Sequence, residues 1–220
     1  MGRIRRFYGS MVGKKFVMGV TGLIGVGFVI LHSVGNLLVF RGPAAINGYS
    51  LFLKSTGELL WALRIILIVA VVLHVIAAIQ LTIQSRAARP VGYTKHETQV
   101  ATISSRTMRW GGALLLVFII FHILHFTTGT IRPAGMFSSD DVYANVVYSF
   151  RVWWVALFYV VAMIALGLHL FHGAWSSMRS IGVSPPSPQP LHQRISLAIA
   201  VFVWAAFTAI PVAVFSGIVR

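Results

Sequence analysis

The chain has 220 residues, 57% of them hydrophobic and 10% charged. A soluble domain carries roughly a quarter charged residues, so this composition excludes an ordinary soluble fold and points to an all-α polytopic membrane protein. The net charge of +14, from 18 Lys and Arg against 4 Asp and Glu, sits mainly in connections and ends, where it orients spans and meets acidic lipid or an acidic partner and argues for no nucleic-acid role.

Five apolar segments follow in chain order: Phe16–Phe40, Leu59–Ile83, Trp110–Ile131, Val152–Met178 and Ile195–Val219. Each exceeds the roughly 20 helical residues needed to cross a hydrocarbon core, so the chain reads as a single five-helix membrane domain over 1–220. Arg3, Arg5, Arg6, Lys14 and Lys15 precede the first segment. Its apolar length exceeds that of a signal-peptide core, and it reads as a retained first helix. Only the second span contains a charge, Arg64, close enough to the end to snorkel. The N-terminus and the 84–109 and 179–194 connections hold 12 of the 18 Lys and Arg. The positive-inside rule then predicts a cytoplasmic N-terminus and an external C-terminus. The stretch VSPPSPQP at 183–190 reads as an extended linker. With no cysteine, the chain itself holds no thiolate-ligated iron–sulfur cluster, disulfide or c-type haem linkage.

Eight histidines are present. His96 and His192 fall in connections and read as solvated residues. His32, His74, His122, His125, His169 and His172 fall inside spans, at least one on each of the first four. A lone intramembrane histidine serves well enough as an interhelical hydrogen-bonding group. Four successive spans with histidines and almost no acids point to function. Depth sorts them. His32 lies nine residues from Arg41 and His122 ten from Arg132, each roughly 15 Å from its flank. His74 lies 16 residues from Glu58 and His169 18 from Arg151, each roughly 25 Å in. The simplest chemistry for two such pairs is two b-type haems, each with two axial imidazoles. A proton relay is the alternative, and it needs no pairing by depth.

Small residues flank the inner pair at helical spacing: Ala70, Ala77 and Ala78 near His74, and Ala162, Ala165, Gly173 and Ser176 near His169. They either leave a slot for a flat macrocycle or allow close helix packing. With the depth match, the slot is the expectation. His172 shares its face with Leu168 and Trp175, which makes His169 the ligand on that span. Near His32 are Gly25 and Gly35. Side-chain size does not choose between His122 and His125.

The patterns TGLIGVGFVILHSVGN (21–36), VVLHVIAA (71–78), RWGGALLLVFIIFH (109–122) and HLFHGAWSS (169–177) together resemble the five-helix, two-haem cytochrome b subunit of bacterial succinate dehydrogenase and fumarate reductase. The third has Gly112 ten residues before the histidine, and the fourth has the family's His-x-x-x-Gly-x-Trp-Ser. The resemblance spans nearly the whole chain. It implies that His74 and His169 hold the iron of an inner haem b and His32 and His122 that of an outer one, so that His122 takes precedence over His125. His125 and His172 are then extra, as candidate donors beside the haems. Some members carry a Glu two residues before the fourth ligand. Gly167 stands here, which removes that route for protons.

The resemblance further implies a membrane anchor in the bacterial cytoplasmic membrane for a flavoprotein with FAD and an iron–sulfur protein, carrying electrons between the iron–sulfur subunit and a quinone, menaquinone in this subclass. The dicarboxylate chemistry lies on the partners. Glu58 is the candidate acid of a quinone site, weighed against a plain helix N-terminal carboxylate. Asp140 and Asp141 read as solvated loop charge. Arg64 and Arg109 are weighed as propionate partners against helix-end anchors. Rival readings are the two-haem anchor of another quinone-linked enzyme, of hydrogenase or formate dehydrogenase type, and a proton-coupled transporter, whose broken helices and central acids the spans lack.

Overall fold

The computed structural model describes residues 2–88, 103–183 and 190–220, and these are mostly helical with no strand. Eight α-helices form: α1 (Arg3–Gly9), α2 (Met11–Asn36), α3 (Pro43–Ser55), α4 (Glu58–Ala87), α5 (Ile103–His122), α6 (Val142–Arg151), α7 (Trp153–Ser180) and α8 (Pro190–Phe215). Five are long and apolar enough to cross a membrane: α2 with its 3-10 extension to Arg41, α4, α5 with a π-helical turn to Thr127, α7 and α8. The protein is a multi-pass helical bundle, and its outward belt, including Leu63, Ile68, Val72, Ile79, Val201 and Val212, meets lipid. His96 and most of the 183–190 stretch lie outside the described residues.

Packing is uneven. α7 and α8 are the most buried spans and α4 the least. α7 packs along α8, α5 and α2, while α4 packs along α2 and has no comparable packing with α5 or α7. In section the first four spans form an open C in the order α4, α2, α7, α5, with α8 behind the α7–α2 side. The main core lies between α5, α6, α7 and α8, around Phe118, Val155, Tyr159, Ala162 and Ile210. A smaller cluster of Leu170, Ala200 and Val203 joins α7 to α8. The small residues expected to leave a slot beside His74 are used differently. Ala70 and Ala77 are buried on α4, whose one extensive neighbour is α2, so they bring two helices close.

Two spans end earlier than hydropathy predicts. The third ends in the π turn Ile123–Thr127 and not at Ile131, and the fifth ends at Phe215 and not Val219. Gly129 follows the π turn at φ +63° with the Phe137 ring against it, so a side chain there meets both backbone strain and a clash.

Hydropathy alone does not predict α3 and α6, which lie in the connections at one end of the bundle and pack together. Polar side chains join them. The Lys54 ammonium reaches the Asp140 carboxylate at 3.0 Å and the Ser139 carbonyl. Asp141 caps α6 by accepting from the Ala144 N–H at 2.9 Å and accepts from the Asn47 amide at 3.0 Å. The two acids are exposed, as solvated loop charge should be, yet they tie α3 to α6. At the opposite end, the Tyr8 hydroxyl donates to Gln80 of α4 at 3.1 Å. Lys14 is buried and donates to the Gly9 carbonyl at 2.9 Å.

The Asp140 carboxyl is held below its ordinary range by Lys54, and that of Asp141 by the Ala144 N–H and then Asn47. A depressed folded-state pKa adds stability above the unfolded value and loses it as pH falls through the folded one. The α3–α6 junction is therefore intact at neutral pH and weakens only in acid. Asp141→Ala should lower stability by about 1 kcal/mol through loss of the cap, measured by thermal unfolding in detergent at pH 7. The deficit should shrink as the wild type is acidified.

Candidate site: two crossed imidazole pairs

The open C brings intramembrane histidines together in two pairs. The His32 ring of α2 and the His122 ring at the end of α5 have centroids 5.9 Å apart with planes at 82°. The His74 ring of α4 and the His169 ring of α7 have centroids 6.2 Å apart at 62°. Each pair joins helices that do not pack extensively on each other: α2 with α5, and α4 with α7. Two imidazoles bound in line to one metal, with bonds of about 2 Å, place ring centres about 6 Å apart. Both separations match that spacing.

Two glycines set the relation between pairs. A Cβ on Gly22 of α2 would lie 3.3 Å from His74 Cε1, and one on Gly112 of α5 would lie 3.9 Å from His169 Cε1. Gly22 is ten residues before His32, and Gly112 ten before His122. Ten residues of helix rise about 15 Å, so the His74–His169 pair lies about that far below the His32–His122 pair along the bundle. This repeated Gly-to-His spacing in two spans is a sequence signal for the layering, and only the second copy is picked out by motif reading. Gly25 has open space around it, whereas Gly35 is occupied with α3, where a Cβ would come within 2.6 Å of the Tyr49 ring. A groove of about 290 Å³ opens beside His169 between α5 and α7, lined in part by Gly111, Leu114, Ala165 and Leu168.

Hydrogen bonds set which imidazole nitrogens are free. His74 Nδ1 lies 3.1 Å from the Met18 carbonyl and 3.3 Å from the Thr21 hydroxyl. A carbonyl only accepts, so Nδ1 carries the proton and Nε2 keeps its lone pair. That is the tautomer of a metal ligand whose other ring nitrogen donates to backbone. His122 Nδ1 lies 3.3 Å from the Tyr159 hydroxyl. His32 is flanked by Asn36, whose amide donates to the His32 carbonyl at 2.7 Å. His169 Nδ1 is buried without a hydrogen-bond partner among the described residues.

The extra histidines part company. His125 is buried and engaged at both nitrogens, Nδ1 at 3.1 Å from the Tyr159 hydroxyl and Nε2 at 2.8 Å from Ser149 Oγ. His172 turns its ring edge-on to Trp175 at 5.2 Å, and its Nδ1 is buried without a partner among the described residues. Tyr159, which hydropathy and motif reading pass over, sits against Phe118, Phe121, Phe126 and Phe150 and touches both His122 and His125. Glu58 is exposed at the first turn of α4, with no ring contact or hydrogen bond to either pair among the described residues. Arg64 lies over the Trp61 ring at 5.1 Å, and Arg109 is exposed.

Fold and site together define a class: a five-span helical membrane protein with two layered imidazole pairs, each crossing an open C of helices. Comparison with known protein families, curated proteins and solved structures gives no match in any of the three.

The chain has no cysteine, so introduced cysteines read the pairing cleanly. His32→Cys with His122→Cys, and His74→Cys with His169→Cys, should each cross-link with a short bifunctional thiol reagent more efficiently than His32→Cys with His169→Cys. Equal yields for matched and crossed pairs would contradict the two-layer geometry.

Proposed function

We propose that the chain is a two-haem cytochrome b, the membrane-anchor subunit of a succinate:quinone oxidoreductase. The observation that carries the reading is the pair of crossed imidazole contacts at metal-bridging separation, with His74 Nδ1 held by the Met18 carbonyl so that Nε2 keeps its lone pair. The donor number also fits. Two imidazoles satisfy the axial positions of a macrocycle-bound iron, whereas a bare zinc takes four ligands. The glycines at 22 and 112 keep side chains away from the inner rings.

Haem iron, when bound, supplies reversible one-electron chemistry. The chain's own contribution is to hold and orient. His74 and His169 would ligate the inner iron, and His32 and His122 the outer. The packed core around Phe118, Val155 and Ile210 keeps water from the outer pair. The resemblance of the four histidine motifs supplies the finer assignments: a flavoprotein and an iron–sulfur protein docked on the basic, N-terminal face, a quinone, menaquinone in this subclass, as the membrane substrate, and the bacterial cytoplasmic membrane with the N-terminus inside. His172 is kept as a donor beside the inner haem and Glu58 as the acid of the quinone site.

Purified, reduced protein should show a b-type α-band and two haems per chain by pyridine haemochrome. His169→Ala should lose one haem, and His172→Ala should keep both. An α-band absent from wild type, with iron near zero, would sink the cytochrome reading. Co-purification of a flavoprotein and an iron–sulfur protein with succinate–quinone activity separates this complex from a hydrogenase or formate dehydrogenase.

A further inference from the structure

One group of polar side chains near the pairs has no part in the function proposed above. It is a chain of hydrogen bonds that leads away from His122: Tyr159 on α7, His125 on the π turn, Ser149 on α6. The Tyr159 hydroxyl is 3.3 Å from His122 Nδ1 and 3.1 Å from His125 Nδ1, and His125 Nε2 is 2.8 Å from Ser149 Oγ. His125, Ser149 and Tyr159 are all buried. A hydroxyl has one hydrogen, so Tyr159 donates to one imidazole at most. If it accepts from both, its own hydrogen is left unpaired in a buried site, which costs about 1–3 kcal/mol. A chain running one way pairs the Tyr159 hydroxyl hydrogen and both His125 nitrogens. In one direction Ser149 donates to His125, His125 to Tyr159 and Tyr159 to His122, which puts the remaining hydrogen of His122 on Nε2. In the other, His122 Nδ1–H donates to Tyr159, Tyr159 to His125 Nδ1, and His125 Nε2–H to Ser149. Only the second leaves a lone pair on His122 Nε2.

We propose that Tyr159, backed by His125 and Ser149, is the positioning group that fixes the tautomer and ring plane of His122. The proposal rests on the two-haem reading and deepens it: His125 acts through Tyr159 and touches no haem iron. Aromatic packing supports the role, because rings of α5, α6 and the π turn surround Tyr159 and hold its hydroxyl in place. His125, three residues after His122 and within the π turn, reaches the same hydroxyl that His122 uses.

An acceptor on Nδ1–H makes an imidazole a stronger donor to its metal, which favours the oxidised iron and lowers its potential. The ring planes at 82° in this pair would also give a low-spin ferric iron held between them a strongly anisotropic EPR signal, which would change once the ring is free to rotate. The test is a redox titration followed by optical and EPR spectra of wild type, Tyr159→Phe and Ser149→Ala in the purified membrane protein. Tyr159→Phe keeps the ring contacts and removes the hydroxyl. It should raise the potential of one haem and alter that haem's EPR signal while the other stays put. Ser149→Ala, at the far end of the chain, should shift the same haem in the same direction by less, and it decides the matter if Tyr159→Phe does not fold. Loss of that one haem alone in Tyr159→Phe also supports the role. Two haems with unchanged potentials and spectra, or two haems shifted equally, would overturn it. A wild type without haem would instead overturn the reading on which it rests.

Discussion

Hydrocarbon offers no hydrogen-bond partners, and most of this architecture follows from that. Backbone groups answer by forming helices along each span. The side chains that cannot avoid being polar answer by finding one another or a backbone carbonyl. His74 takes the Met18 carbonyl, His125 takes Tyr159 and Ser149, and Thr21 donates back to Val17 within its own helix. Among the described residues His169 Nδ1, in the inner pair, and His172 Nδ1 one turn on are buried polar atoms that find no such partner.

The two ends of the bundle are built differently. At one, α3 and α6 lie together, joined by Lys54, Asp140, Asp141 and Asn47. At the other, α1 folds back on α2 and is pinned through Tyr8 and Lys14, on the side whose N-terminus and connections together carry most of the positive charge. The outer histidine pair lies toward the end closed by helices, and Ser149 on α6 carries that end's packing inward to Tyr159. The inner pair lies toward the basic end, beside α4, the least buried span.

Much of this is legible in the sequence, because a straight helix converts residue number into depth. Counting from Arg41, Glu58, Arg132 and Arg151 pairs His32 with His122 and His74 with His169, and those are the rings that lie side by side. What counting misses is local departure from 3.6 residues per turn. The third span ends in the π turn after His122 and stops short of Ile131, and His125 within that turn is buried against Tyr159 and Ser149. Side-chain size also misleads near His74: Ala70 and Ala77 look like the walls of a slot, and they are instead contact points for α2. The residue that gives the ring its room, Gly22, sits on another helix, and no single-span pattern reports that. Tyr159 is invisible for a similar reason, since its hydroxyl acquires meaning only when α5 and α6 arrive beside it. The helices α3 and α6 escape hydropathy because neither is long enough to cross a membrane.

The open C has a mechanical consequence. Four rods joined along three sides make a frame that shears freely, because the side between α4 and α5 carries no extensive contact. Diagonals are what make such a frame rigid. The two histidine contacts are its diagonals: one runs from α4 to α7, the other from α5 to α2. They stand at different heights, so bonds joining both pairs would resist shear and twist together. A bond joining each imidazole pair would therefore fix the gap between α4 and α5 at its centre, and with it the shape of the frame.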